Sequence, residues 1–406
     1  MSFRVAISGL KAAQSDLNVI ANNIANGSTN GFKRSRAQFS DVFAVSGTGG
    51  SGNTPGSGVR LSSVSQQFSQ GNITFTDNSL DMAISGNGFF IVDDNGTRVY
   101  TRAGAFGIDR NGFISNSEGK PLIAFGADSQ GNITGASQAI QVNTSNIAPQ
   151  PTTTMSLSLN LDATQVPPPV GVFNSSNPNS YNSSTSTTIF DSLGNSHLAT
   201  TFYVKQAAIN SWVSHTFVDG VQVSVAGGDP IVFNNLGTMT TPASGIITIP
   251  AFTASGGGAP INMALDYANT TQFGSPFAVF ALAQDGFTTG RLSGLDIDQD
   301  GIIFARFTNG QSRVEGQLAL ADFPNRQGLQ PLSDSTWGDT FASGAVTIGA
   351  PGTSSLGLLQ SGGLEDSNVE LSEELVKMII SQRAFQANAE VISTNDSITQ
   401  SIINLR

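Results

Sequence analysis

Residues 3–24, FRVAISGLKAAQSDLNVIANNI, place Phe3, Ala6, Leu10, Ala13, Leu17, Ile20 and Ile24 at intervals that alternate three and four. That spacing is the seam of a helix that packs along another helix. No proline interrupts it, so it predicts a helix about 35 Å long. Ala6 and Ala13 are small enough to let a partner helix approach closely. Asn26, Gly27, Ser28 and Thr29 then supply turn chemistry that ends the pattern. The opposite end of the chain repeats the theme. From Asn368 to Leu405 there is neither Gly nor Pro, and Leu371, Leu375, Met378, Gln382, Phe385, Ala389 and Ile392 form one stripe. Val391, Ile398, Ile402 and Leu405 continue on an adjacent stripe, the drift of a straight 3.6-residue helix against a seven-residue repeat. Ser367 or Asn368 is positioned to cap this helix, with Glu370, Glu373 and Glu374 at its positive end.

The two ends carry opposite charge. Residues 1–36 hold Arg4, Lys11, Lys33, Arg34 and Arg36 against Asp16 alone, whereas residues 365–406 hold seven acids against Lys377, Arg383 and Arg406. Opposite charge favours pairing the two helices with each other over self-pairing. The alternative is that both are simply solvated helix faces.

Between the ends the chain reads as β. FFIVDDNGTRVYTR, from Phe89, is a hairpin around Asp94-Asn95-Gly96, and residues 104–125 repeat the device at Arg110-Asn111-Gly112 and Ser117-Glu118-Gly119. ITIPAF, FAVFAL and GIIFARF read as further strands. Residues 44–58 and 165–188, rich in Ser, Gly, Asn or Pro, read as loops or linkers. The expected fold is multidomain and mainly β with a terminal α-helical, coiled-coil-like layer. The N- and C-terminal helices pair, and two β domains are inserted between them. The expected boundaries are 1–32 with 365–406 for the helical polymerisation domain, 33–71 for a connecting segment, 72–146 with 285–364 for an inner β domain, and 147–284 for an outer one.

Composition restricts function. Of 406 residues, 12% are charged, about half the usual share, and 45 are Gly. The net charge of −11 argues against a nucleic-acid partner. With no cysteine, a disulfide framework, a zinc–thiolate site and a cysteine nucleophile are excluded. No apolar run is long enough for a membrane span, and residues 1–20 lack the apolar core of a secretory signal. No cofactor or metal is implied. DIDQDG, Asp296 to Gly301, begins like a calcium loop, but the twelfth position is Phe307 where a bidentate Glu belongs, so a turn between strands is expected. His197 and His215 lie in apparent strands without metal-ligand spacing. Gly86-Asn87-Gly88 lacks the third glycine and following helix of a dinucleotide fingerprint and reads as a turn before a strand. Lys33, Arg34 and Arg36 are expected on a solvated or intersubunit face, not in a phosphate site.

ANNIANGSTNGFK, from Ala21 to Lys33, resembles the N-terminal signature of flagellar rod and hook proteins, carried by Ala21, Asn22, Asn23, Ala25, Asn26, Thr29, Gly31, Phe32 and Lys33. SNVELSEELVKMIISQRAFQANAEVISTNDSI, Ser367 to Ile398, resembles the C-terminal signature of the same family, with Gln382, Arg383, Gln386, Ala387 and Asn388 in the expected places. Residues 70–92 and 100–122 resemble its inner β domain. Residues 189–205, IFDSLGNSHLATTFYVK, and the long insert resemble hook members more than the shorter rod members. The resemblance implies a structural subunit without catalysis that polymerises with itself into a curved tube outside the cell. It also implies export without a cleaved signal through the flagellar type III apparatus. The implied neighbours are a distal rod protein, a hook cap protein and a hook–filament junction protein. A distal rod protein, a β-rich surface adhesin and a glycosidase using paired carboxylates are the competing readings.

Overall fold

The computed structural model describes residues 2–42, 56–128 and 130–404. Most of the proposed loop 44–58, and Leu405, therefore lie outside the described residues. The chain divides into two compact units: residues 1–144, 294–306 and 312–406 form the first, and residues 145–293 with 307–311 the second.

The first unit is built on α1, Ser2–Ala25, and α2, Leu371–Asn404. Their lengths of 24 and 34 residues correspond to about 36 and 51 Å. The segment read from sequence as a connection is partly structured. Ser35–Asp41 pairs antiparallel with Val59–Gln66, and Ser8 Oγ at α1 accepts from Val59 N at 3.1 Å. This hairpin was not visible because its apolar residues, Phe39, Leu61 and Val64, are few and remain exposed.

A six-stranded sheet runs in the order 330–331, 336–338, 97–101, 89–94, 320–322 and 347–349. Its face buries Phe89, Ile91, Tyr100, Phe323 and Trp337, packed edge to face, with Phe89 and Trp337 centroids 5.5 Å apart. The Phe89 hairpin forms as read: Asn95 and Gly96 both take positive φ, 54° and 90°, the geometry of a two-residue turn matched to strand twist. The DIDQDG segment is a turn between strands Leu292–Ile297 and Ile302–Phe307, with Asp298 Oδ1 accepting from Ile302 N at 2.8 Å.

The second unit joins a four-stranded sheet, in the order 246–252, 261–266, 154–160 and 278–284, to a six-stranded one that begins 183–190, 196–205, 211–218. Their shared core includes Leu157, Leu159, Tyr203, Trp212, Ile231 and Tyr267. Residues 183–188, read as part of a linker, belong to an edge strand in full register with Ser196–Lys205. Ser and Thr suit such an edge: their hydroxyls pair across the strands, as Ser186 and Thr200 do at 3.0 Å.

Candidate assembly site at the paired termini

The two terminal helices run antiparallel. Asn23 Nδ2 donates to Glu374 Oε2 at 3.0 Å, and Ser381 Oγ donates to the Ala13 carbonyl at 3.2 Å. A methyl group on Gly9 would fall 2.4 Å from Asn388 Oδ1, so α1 is narrowest where α2 presents that amide. On α1, Ala6, Ala13 and Ile20 of the expected stripe are buried, Leu10, Leu17 and Ile24 are half-buried, and Phe3 is exposed.

On α2 the line facing α1 differs from the expected stripe. Glu374 and Ser381 are buried and Asn388 half-buried, one residue before Leu375, Gln382 and Ala389. Met378, Phe385, Ala389 and Ile392 remain half-buried beside it. Leu371, Leu375, Gln382, Arg383, Gln386, Ala387, Val391, Ile398 and Ile402 are exposed. The reason is the small, polar surface of α1. Gly9 leaves room for the Asn388 amide, the Ala13 carbonyl accepts from Ser381 and Asn23 donates to Glu374, while the branched apolar side chains of α2 turn outward.

Gly9 faces Asn388, so Ser2, seven residues earlier, falls opposite Asn395 in an antiparallel pair. The last turns of α2, residues 396–404, thus reach about 13 Å past that point with no α1 residue opposite among the described residues. They carry Ile398, Ile402 and Ile403 exposed at 52%, 64% and 66%.

The N-terminal signature residues anchor the helices to the β structure. Asn23, 1% exposed, is held on three sides: its Oδ1 accepts from Ser35 N at 2.9 Å, and its Nδ2 donates to the Ser35 carbonyl and to Glu374. Asn26 and Thr29 build the turn that ends α1: Asn26 Nδ2 donates to the Asn22 carbonyl and Thr29 Oγ1 to Asn26 Oδ1. Gly31 takes φ +71°, and a Cβ there would lie 2.4 Å from Ala103 N, so only glycine fits this approach. Ala21, Asn22 and Ala25 are exposed and Phe32 is half-buried.

Lys33 corrects the sequence reading of a solvated basic face, because it is 1% exposed. Its ammonium lies 2.5 Å from Glu365 Oε1 and donates to the Ser69 carbonyl at 2.9 Å. The other oxygen of Glu365 is 3.0 Å from Arg102 Nη1, itself buried, and Gly71 N donates to Oε1 at 2.9 Å. Arg102 also donates to the Ile84 and Gly86 carbonyls and lies 5.6 Å from the Phe89 ring centroid. One carboxylate therefore serves two buried cations. Burial lowers the Lys33 pKa, with Glu365 opposing it; Arg102 is lowered for the same reason. Arg34 pairs with Glu373 and Glu374 at 3.0 and 3.7 Å, so the opposite charges of the two ends do meet. They meet through residues just beyond α1. Asn368 does not cap α2: its carboxamide accepts from Arg34 N and donates to the Gln67 and Ser69 carbonyls. Sequence reasoning missed Glu365 and Arg102. Their only signal was isolated charge beside glycine and apolar residues in a weakly charged chain.

A chain whose two ends form one helical pair, pinned to inserted β structure and carrying uncovered apolar side chains, has the architecture of an axial structural subunit built to pack against others. Comparison with known proteins agrees. Residues 3–33 match the flagella basal body rod protein family, 83–160 the flagellar hook protein FlgE/F/G D1 domain, 160–287 the flagellar basal body protein FlaE D2 domain, and 360–405 the flagellar basal body rod FlgEFG protein C-terminal family. The flagellar hook protein FlgE of Escherichia coli is 38% identical, and that of Salmonella typhimurium 37%, each covering 100% of both chains. The FlgE of Borreliella burgdorferi is 31% identical over 98% of each chain. The crystal structure of Helicobacter pylori flagellar hook protein FlgE2 shares the fold, with a TM-score of 0.53 at 12% identity, over 72% of this chain and 100% of that one. The chain belongs to the flagellar hook protein FlgE family. It is a structural subunit of the hook, and the distal-rod reading is not favoured.

Proposed function

We propose that copies of this chain polymerise into a curved, flexible tube that couples the rod to the filament and transmits torque as a universal joint. The observation that carries this is the uncovered apolar surface of α2, which extends beyond the reach of α1 through Ile398, Ile402 and Ile403. Apolar area left open on an ordered helix is a surface awaiting a partner. A contact between different faces of successive copies that does not close into a ring generates an open helical assembly. In this reading the helices line the tube and the first unit's sheets surround them. The copies leave the cell unfolded through the type III export apparatus without cleavage of a signal. They contact a distal rod protein, a cap protein and a junction protein at the ends of the tube. Electron microscopy of basal bodies from a strain lacking this gene tests the reading. Complete rods that end without a hook are expected; truncated rods would place the protein in the rod, and intact flagella would refute the reading.

A further inference from the structure

Residues 164–177 form neither helix nor strand and run as a strap over the sheet that contains strands Ser196–Lys205 and Ser211–Val218. The strap lies on the face turned away from the shared core. Trp212, Ser214 and Thr216 point inward, which turns Val213, His215 and Phe217 outward, and Phe202 shares their face because it lies opposite His215. Every residue from 164 to 172 is exposed except the half-buried Pro168. Between Val166 and Asn174 a single backbone bond holds the segment among the described residues. In it Val170 N donates to the Asn179 carbonyl at 3.5 Å, the outer limit of a hydrogen bond. Phe173 is therefore the seat of the strap. Its ring stacks flat on His215, with centroids 4.0 Å apart and planes 3° apart, and meets Phe202 at 5.5 Å and Phe217 at 5.8 Å.

His215 is buried, and the groups that face it carry no charge. They are Phe173 of the strap, Phe202 of the adjacent strand, Gln222 of the short strand Val221–Gln222, and Gly228, where a Cβ would fall 2.7 Å from the imidazole. The titratable residues of the neighbouring strands, Tyr203, Lys205 and Asp229, belong to the rows that face the core, opposite Ser214 and Trp212. Tyr181 meets Phe173 and Phe202 from the far end of the strap. Gln222 Nε2, a donor, stands 3.5 Å from His215 Nδ1, so a proton added at Nδ1 would confront another N–H. Burial alone lowers the His215 pKa from its ordinary 6.5 and favours the neutral ring.

We propose that residues 164–173 are a pH-dependent strap, seated by the stack of Phe173 on neutral His215 and released when that ring takes up a proton. An imidazolium there is a buried cation without a carboxylate, and the face of the Phe173 ring offsets only part of the cost. Lifting the strap opens His215 to water. The closed form then binds the proton less tightly than the open one, so closure is favoured above pH 6.5 and weakens as the pH falls from 6.5 towards the lowered value. Release uncovers Phe202 and Phe217. The strap works within the second unit and does not depend on how copies assemble.

The test follows papain cleavage of the full chain within residues 166–173 between pH 7.5 and 5.0, with a free peptide of residues 163–176 in the same tube as the reference. Relative to that peptide, cleavage should accelerate as the pH falls, by no more than about tenfold per unit. His215→Phe keeps a flat ring under Phe173 and removes the proton, so its cleavage should be slow and independent of pH. Phe173→Ala should be cut rapidly already at pH 7.5. The proposal fails if the unsubstituted chain shows no acceleration, if His215→Phe accelerates as steeply, or if Phe173→Ala is cut as slowly as the unsubstituted chain. A second measurement needs no variant. The ring resonance of His215, one of two histidines, is identified by its nuclear Overhauser effect to Phe173 and should titrate with the same midpoint as cleavage. Separate midpoints overturn the proposal even if a variant fails to fold.

Discussion

Replacing Glu365 with Gln removes the only negative charge from a cluster whose side chains are at most 4% exposed. Lys33 and Arg102 would then face a neutral amide, two buried cations without a counter-charge. Removing one partner of a buried pair costs about 3–5 kcal/mol, because the charge left behind is desolvated and uncompensated. Lys33→Met should behave differently, because Glu365 keeps Arg102, the cluster becomes neutral, and methionine fills a similar volume. The expected cost is below about 1 kcal/mol. Arg102→Met falls between, at about 1–3 kcal/mol, because the Ile84 and Gly86 carbonyls lose their donor. The depressed Lys33 pKa adds a pH signature. The unfolded chain binds the Lys33 proton more tightly than the folded one, so stability should rise with pH from the lowered value up to the ordinary lysine pKa of 10.5. Lys33→Met should lack that rise. Urea unfolding followed by 19F NMR of fluorotryptophan separates the units, since Trp337 lies in the first and Trp212 in the second. A loss for Glu365→Gln below about 1 kcal/mol, or an equal loss for Lys33→Met, would refute the reasoning, which rests on uncompensated buried charge.

Gly31→Ala should cost at least about 2 kcal/mol, combining a positive φ with a clash against Ala103, and should lower the Trp337 transition midpoint. Asp334 and Ser335 both take positive φ, 63° and 53°, in the turn before strand Thr336–Gly338, so Asp334→Asn with Ser335→Gly should stabilise the first unit by about 0.5–2 kcal/mol and raise the same midpoint. Ile398→Asp with Ile402→Asp should leave monomer unfolding unchanged and abolish tubes in electron micrographs; normal tubes would remove the α2 overhang from the assembly surface. Deleting residues 147–284 should leave tubes that assemble but are straight or mechanically altered, and failure to assemble would oppose that division of roles.

Much of the architecture was legible locally. The α1 stripe has one apolar face opposed by Lys11, Gln14 and Asn18, all exposed, so its period has one solution. Asn-Gly and Asp-rich turns announced their hairpins because positive φ demands those residues. The seam on α2 was less legible. Leu375, Val376, Ile379 and Ile380 surround the helix with exposed apolar side chains, so hydrophobic period alone cannot choose a face. The face was chosen by Glu374, Ser381 and Asn388 through hydrogen bonding and close approach to α1, which no spacing rule encodes. The cluster around Glu365 was illegible for a related reason: its members carry no pattern until the chain folds.

Lys33 and Arg102 precede Glu365 by 332 and 263 residues. A chain that emerges amino end first cannot neutralise either cation until nearly all of it has appeared. Residues 145–293, by contrast, hold almost all of the second unit in one stretch. The order of completion is thereby built into the sequence. The inserted β unit is free to close early, whereas the foundation that seats both helices is finished last, by a single glutamate that arrives just ahead of α2.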